Sequence, residues 1–309
     1  MSRPSAAVFA YSDVGVRCLR ALLGAGIDVQ LVVTHEDDPK ETRWYDSVAD
    51  VAERYRLHCI APASGSDPAV LTALTTSPPD FIFSFYYRQL LPEGVLAAAR
   101  RGALNMHGSL LPHYRGRAPV NWAVLRGETQ TGATLHYMVA RADAGDIVDQ
   151  QAVPILSDDT AAEVMRKVTV AAEMVLVRSL PGLLSGTAAR CPQTLLSGEY
   201  FGRRTAEDGR IDWSQSAAAI HNLVRAVAPP FPGAFTDLPA GRVWIHGTRR
   251  VSGTGLPATA AGLFVHGGRC WLRGGDGEVL EVVVAADASG TWPRTDLATR
   301  AVASGIASV

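Results

Sequence analysis

The first half of the chain alternates between two hydrophobic periods. Short apolar or β-branched runs read as strands: AAVFAY (6–11), IDVQLVVTH (27–35), HCIAP (58–62), DFIFSFYY (80–87) and ALNMHGS (103–109). Between them lie stretches with apolar residues three and four apart, namely VGVRCLRALLGAG (14–26), SVADVAERYRL (47–57), DPAVLTALTT (67–76) and LPEGVLAAARRG (91–102). Asp67 caps the third of these helices, and the fourth has Pro92 near its start and Gly102 at its end. This alternation predicts βαβ units in an α/β domain with a mostly parallel, doubly wound sheet. A short helix over 118–128 follows. Strands over 132–139 and 147–155 are joined by the turn ARADAGD (140–146), and a long helix over 158–184 closes the domain.

The pattern changes after that helix. Residues 185–210 show little periodicity and read as a linker, followed by one more helix (211–227) and the Pro-rich break APPFPGAF (228–235). The rest consists of short β-like runs, RVWIHG, GLFVHGG, CWLRGG and EVLEVVVA, separated by Gly-rich turns. They predict a small all-β domain, a compact barrel. The expected organisation is an α/β domain over 1–190, a linker over 191–210 and a second domain over 211–309.

Composition narrows the function classes. The 309 residues are 47% hydrophobic, enough for a full core, and 29 Lys and Arg nearly balance 30 Asp and Glu. A net charge of -1 predicts no general attraction to nucleic acid or to an anionic membrane. The four cysteines, Cys18, Cys59, Cys191 and Cys270, form no CxxC pair, which argues against a zinc site and a disulfide framework. The start of the chain lacks a signal-peptide pattern, and no run approaches the roughly 18 apolar residues of a membrane span. The expectation is a soluble protein of the reducing cytoplasm, without metal.

In open α/β sheets ligands gather at the carboxyl ends of the strands. Two stretches fall there: Asn105–Ser109, and the turn around Asp143. Asn105 and His107 are two apart, so on a strand they share a face. An amide and an imidazole aimed at one point can hold an oxyanion and move a proton, and a nearby carboxylate would favour the charged imidazole. Position alone leaves other readings open. His107 could be a structural histidine, Asp143 a turn former in ADAG, and Arg115 and Arg117 a solvated loop. The first βα turn has only Gly15, so the dinucleotide fingerprint is absent and a nicotinamide dehydrogenase is disfavoured. There is no G-x-S-x-G elbow, P-loop or H-E-x-x-H, and no cysteine near Asn105 and His107 to form an acyl-enzyme.

The combination Asn105-x-His107-x-Ser109-Leu-Leu-Pro112, then Tyr-Arg-Gly, then Ala142-Asp143-x-Gly145-Asp146, resembles the formyltransferases that use 10-formyltetrahydrofolate. That family includes methionyl-tRNA, glycinamide ribonucleotide and sugar N-formyltransferases. The His motif and the Asp turn occur in the family's order, 36 positions apart. The stretches FAYSDVG, FSFYYRQL, NMHGSLLPHYRGRAPVNWAVLRGET, TGATLHYMVARADAG, FGRRTAEDG and HNLVRAVAPPFPGAF are similar to one branch of it. There the formyltransferase domain is part of a bifunctional polymyxin-resistance enzyme that modifies UDP-4-amino-4-deoxy-L-arabinose, a step in lipid A modification. The similarity runs through about residue 235 and more weakly beyond. In that branch a decarboxylase domain follows; here the chain stops at Val309, so that second activity is expected to come from a separate protein.

The resemblance implies a Rossmann-like catalytic domain and a C-terminal OB-like barrel. It implies that Asn105, His107 and Asp143 carry catalysis by direct transfer, with Asn105 and protonated His107 stabilising the oxyanion. It also implies folate contacts at Gln89, Leu90 and Leu91, at Arg117, and at Val139, Ala140, Arg141, Ala142 and Asp143. Among acceptors, methionyl-tRNA is the main competitor of a UDP-linked amino sugar. Enzymes acting on tRNA carry a basic insertion after the second strand. Here that region, THEDDPKETRWYDSVAD (34–50), is acidic on balance. Arg203, Arg204 and Arg225 are candidates for the sugar nucleotide's diphosphate, against a reading as solvated arginines. A formyltetrahydrofolate hydrolase would use a similar triad, but usually with an N-terminal regulatory domain, for which there is no room before Ala6. A non-catalytic folate binder would lack a triad member. Another small amine remains a further alternative acceptor.

Overall fold

The computed structural model describes residues 3–36, 44–195, 200–251 and 255–309. Residues 37–43 of the acidic stretch read against a tRNA-binding insertion lie outside the described residues, as do 196–199 of the expected linker. The chain divides into two compact units. The first comprises Met1–Pro119, Gln130–Pro154 and Met165–Gly202; the second comprises Val120–Thr129, Ile155–Val164 and Arg203–Val309.

The first unit begins with β1 (Ser5–Ala10), α1 (Ser12–Gly24), β2 (Asp28–Val33), α2 (Val48–Arg54), β3 (Cys59–Ile60), α3 (Pro68–Thr76) and β4 (Phe81–Phe85). Then come α4 (Glu93–Leu96), β5 (Gly102–His107) and β6 (Arg115–Gly116), with α5 (Pro119–Leu125) before β7 (Gln130–Tyr137) and β8 (Ile147–Pro154). Seven strands form one sheet in the order β3-β2-β1-β4-β5-β7-β8. The first five run parallel and the last two antiparallel, the Rossmann-like α/β arrangement expected. Every residue of β1 and of β4 is buried, as a strand covered on both faces must be, and Phe9, Ile82, Phe83, Phe85 and Leu104 fill that core.

Two expectations need correction in this unit. The helix expected over 91–102 is only Glu93–Leu96. The chain leaves it through i,i+3 turns at Ala98 and Ala99, and the N–H groups of Arg100 and Arg101 turn to the carbonyls of Pro79 and Asp80. The second concerns membrane spans. Helix α6 (Ala161–Ser185) is long and apolar enough to cross a membrane by length and composition, contrary to the sequence reading. Half of its most apolar window is buried in protein, and it carries Glu163, Arg166, Lys167, Glu173 and Arg178, which suits a core helix as well. A capping box starts it: Thr160 N donates to Glu163 Oε2 at 2.7 Å, and Glu163 N donates back to Thr160 Oγ1 at 3.3 Å.

The stretch read as linker is not featureless. It contains β9 (Tyr200–Phe201), which pairs in parallel with β6, and a 3-10 turn over Ala206–Gly209. In the second unit Ser216 caps α7 (Ala217–Val227) by accepting from Ala219 N. A curled antiparallel sheet follows, with β10 (Ala234–Leu238), β11 (Gly241–Arg250), β12 (Gly262–His266), β13 (Arg269–Arg273), β14 (Val279–Asp287) and β15 (Gly290–Thr291). Its order is β10-β11-β14-β13-β12, with β15 beside β14, and irregular register between β11 and β14 bends it, as in a small barrel-like module. The unit is not all β: α8 (Leu297–Ala303) ends it, buried through Leu297 and Ala301. All four cysteines are free.

Candidate active site

The site grows from one register. Strand β5 pairs antiparallel with β7 so that Asn105 lies opposite His136, Met106 opposite Leu135 and His107 opposite Thr134. Side chains alternate along a strand, and opposed residues share a face. Leu104, Met106 and Leu135 therefore enter the core, while Asn105, His107, Thr134 and His136 form a polar set on the other face.

Thr134 organises the loop after β5. Its hydroxyl donates to Ser109 O at 2.6 Å and accepts from Leu111 N at 3.1 Å and Gln150 Nε2 at 2.9 Å. Ser109 Oγ donates to His113 O at 2.6 Å. These bonds curl residues 108–117 back over His107, whose Nε2 lies 2.8 Å from Tyr114 O. Gly108 is required here, because a side chain would overlap the Tyr86 hydroxyl. That hydroxyl is itself buried and, among the described residues, has no hydrogen-bond partner, on a residue with φ +59°.

The loop between β7 and β8 brings in Asp143, held at φ +53°, a left-handed conformation that Asp tolerates. Gln193 Nε2 clamps the loop by donating to Asp143 O at 3.2 Å and Gly145 O at 2.6 Å. Asp143 Oδ2 accepts from Gly116 N at 2.9 Å. Its Oδ1 faces Asn105 Nδ2 at 3.5 Å, His107 Nδ1 at 3.6 Å and His136 Nε2 at 3.7 Å. Burial alone would raise the Asp143 carboxyl. The charge of His107 and the Gly116 N–H pull the other way, and the carboxyl is held well below the usual carboxylate range.

This arrangement has definite chemical capacities. Nε2 of His107 faces a carbonyl and so carries a hydrogen, while Nδ1 faces the Asp143 carboxylate at 3.6 Å, where a protonated ring finds its counter-charge. The Nδ1 contact is longer than a hydrogen bond, so that N–H is still able to donate to a third oxygen. Asn105 offers amide hydrogens beside it. The cluster can place two donors on one developing negative charge, with a carboxylate next to them to balance the imidazolium.

Asn105, His107 and Asp143 thus come together within hydrogen-bonding or ion-pair reach. The other expected residues border strand ends. The Gln89 side chain donates to Ala63 O at 3.0 Å and accepts from Gly65 N, tying two loops together. Leu90 is 74% exposed, and Leu91 packs on the core. Val139, Ala140 and Arg141 are exposed, and Ala142 is half-buried. Arg117 N donates to Phe201 O at 2.9 Å and its guanidinium reaches Arg88 O at 3.3 Å. Arg115 is not a surface charge: it is 3% exposed. In the second unit Arg203 is exposed, whereas Arg204 lies over the Trp122 ring at 4.9 Å. Arg225 is buried, its guanidinium donating to Asn222 Oδ1, Leu156 O and Asp159 O, and so is not a solvated arginine.

The sequence reading missed His136, Thr134 and Gly116. A signal existed for the first two: Thr134 and His136 are polar, two apart and interleaved with Ala133 and Leu135, the same spacing as Asn105 and His107. Among the described residues no His, Cys, Asp and Glu group could hold a metal ion.

A family model described as formyl transferase matches residues 7–180, and one described as formyl transferase, C-terminal domain, matches residues 203–284. Solved structures share the fold. An N-formyltransferase from Helicobacter canadensis, in complex with folinic acid and dTDP-3-aminofucose, superposes with TM-score 0.72 at 18% identity over 94% of this chain and 100% of that one. A 4-N formyltransferase from Francisella tularensis gives 0.64 at 18% identity, over 77% and 94%. HypX from Aquifex aeolicus in complex with tetrahydrofolic acid gives 0.63 at 19% identity; all of this chain is covered, but only 49% of HypX.

Proposed function

The chain belongs to the formyl transferase family, and we propose that it transfers a formyl group from 10-formyltetrahydrofolate to the amine of a nucleotide-linked amino sugar. The observation that carries this reading is the convergence of Asn105 and His107 from strand β5 and Asp143 from the β7–β8 loop onto one point. In this reading the acceptor amine attacks the formyl carbon directly. Asn105 and the Nδ1–H of His107 donate to the formyl oxygen as it becomes an oxyanion, forming a tetrahedral intermediate. As the bond to the folate nitrogen breaks, the amine's surplus proton passes through Asp143 or a water beside it to that nitrogen, which leaves as a neutral amine. A carboxyl held so acidic is a weak base, so its first role is to keep His107 charged.

Folate enters here as a substrate. The residues proposed to hold it are Gln89, Leu90, Leu91, Arg117 and Val139–Asp143. Leu90 and Val139 support this, since two exposed apolar side chains at strand ends are what a planar ring system would cover. Folate cofactors and sugar nucleotides are both soluble metabolites, so this reading places the reaction in the cytoplasm.

For the acceptor we favour UDP-4-amino-4-deoxy-L-arabinose, on the resemblance to the polymyxin-resistance branch. The Helicobacter neighbour, whose complex holds a dTDP-linked amino sugar, supports the wider class. The acidic balance of 34–50 weighs against tRNA. The test is to incubate the protein with 10-formyltetrahydrofolate and a panel of amines. Formylation of the UDP-linked sugar is expected. Formylated methionyl-tRNA beside an untouched sugar would overturn the acceptor assignment.

A further inference from the structure

The chemistry above leaves one titratable side chain of the cluster unused. His136 is 1% exposed and touches two of the three proposed catalytic groups. We infer that His136 is a positioning residue: as a neutral ring with its proton on Nδ1, it accepts from the Asn105 amide and fixes which end of that amide meets the formyl oxygen. The inference rests on the formyl-transfer reading and not on which amine is the acceptor.

Hydrogen-bond bookkeeping at the two ring nitrogens leads there. Nδ1 lies 2.9 Å from Tyr137 O, which can only accept, so Nδ1 carries a hydrogen. Nε2 lies 3.1 Å from Asn105 Nδ2, within hydrogen-bond range, and 3.7 Å from Asp143 Oδ1, beyond it. An amide nitrogen only donates, so Nε2 must be the acceptor. The ring that satisfies every contact is the Nδ1–H tautomer.

The amide is the beneficiary. A half-turn of the Asn105 side chain exchanges its oxygen and nitrogen and leaves its shape unchanged, so sterics alone do not select an orientation. Here the flipped form would set the amide oxygen against the Nε2 lone pair and against Asp143 Oδ1, two acceptors. The observed form sets the nitrogen there, with Nδ2 3.5 Å from that carboxylate. Only the nitrogen end can donate to an oxyanion. The fixing is stiff because Asn105 and His136 are direct cross-strand partners, and because the ring is bonded to its own strand's backbone.

Two measurements test this. In wild-type protein labelled with 15N at histidine, two-bond proton–nitrogen spectra should show His136 as the neutral Nδ1–H tautomer at the pH where formyl transfer is fastest. The signals are assigned by their loss in His136→Gln. A doubly protonated ring, or a proton on Nε2, would overturn the inference whatever the enzyme's activity. Kinetics then ask whether the ring acts through Asn105, following tetrahydrofolate release with whichever amine the wild type formylates. His136→Leu should lower kcat about 10–100-fold, with the KM of both substrates changed less than about twofold. His136→Gln, which keeps an acceptor, should recover most of the loss. In an Asn105→Ala background, His136→Leu should have no further effect on kcat. An equal loss in both backgrounds would overturn the inference. A wild type that turns over folate but ignores UDP-linked sugars would sink only the acceptor assignment.

Discussion

Asp143 sets the charge balance of the site, and its acidity has a measurable consequence. Its folded carboxyl ionises more readily than the ordinary value of 3.8, so at acid pH the unfolded chain binds the extra proton. Its contribution to stability is therefore complete above that ordinary value and is lost as pH falls through the lower folded one. Melting wild type and Asp143→Asn between about pH 5 and pH 2 should show wild type losing more stability with acid. Parallel curves would contradict the assigned charge state. His107→Ala and Asp143→Ala should keep the far-ultraviolet circular dichroism of wild type while formyl transfer falls by about 10²–10⁴-fold. Near-wild-type turnover in either would sink the proposed chemistry. Asn105 and His107 were legible in the sequence because two polar residues two apart at a strand end must share a face. Asp143 stood out only as a carboxylate in a turn at a strand end, since ADAG is an adequate turn by itself; the resemblance decided between the two readings. His136 escaped because a polar residue alternating with apolar ones looks like the solvent side of a strand until the opposite strand is known.

At the scale of elements, the site depends on how residues 108–117 close over His107. Gly116 is the critical point of that loop. Its φ of +100° disfavours any side chain, a Cβ would overlap the Phe201 carbonyl, and its N–H holds Asp143 Oδ2. Gly116→Ala should therefore cost about 2 kcal/mol or more of stability and lower kcat together with it. Denaturant melts and steady-state rates on one preparation check this, and an unchanged midpoint would contradict the packing described. Most strands and helices were legible because each keeps a single period over several residues. The misses have physical causes. LPEGVLAAARRG has helical composition, yet Arg100 and Arg101 bond their N–H groups to Pro79 and Asp80 and stop the helix early. Strand β9 is two residues long and exists through its pairing with β6, so no local period announces it. Helix α8 follows a run of strands and was absorbed into an all-β reading.

For the whole molecule the balance of charge matters most to the choice of acceptor. With 29 basic and 30 acidic residues, the chain offers little long-range attraction to a polyanion. A sugar-nucleotide acceptor carries few phosphates, so kcat/KM should fall only modestly, by less than about fivefold, between 50 and 200 mM salt. A tRNA acceptor gripped through many phosphates would lose about 10³-fold or more over the same range. The chain divides into two compact units, and the sequence shows a change of pattern after the long helix. What no linear pattern revealed is that residues 120–129 and 155–164 belong with the second unit. Direct transfer of one carbon to a sugar amine at the Asn105–His107–Asp143 cluster is the central step proposed for this protein. The most direct test supplies 10-formyltetrahydrofolate labelled with 13C in the formyl group, together with UDP-4-amino-4-deoxy-L-arabinose, and examines the sugar by mass spectrometry. Labelled N-formyl sugar in the wild-type reaction, absent with Asp143→Ala, is the predicted result. Labelled formate with unmodified sugar would identify a hydrolase and contradict the account.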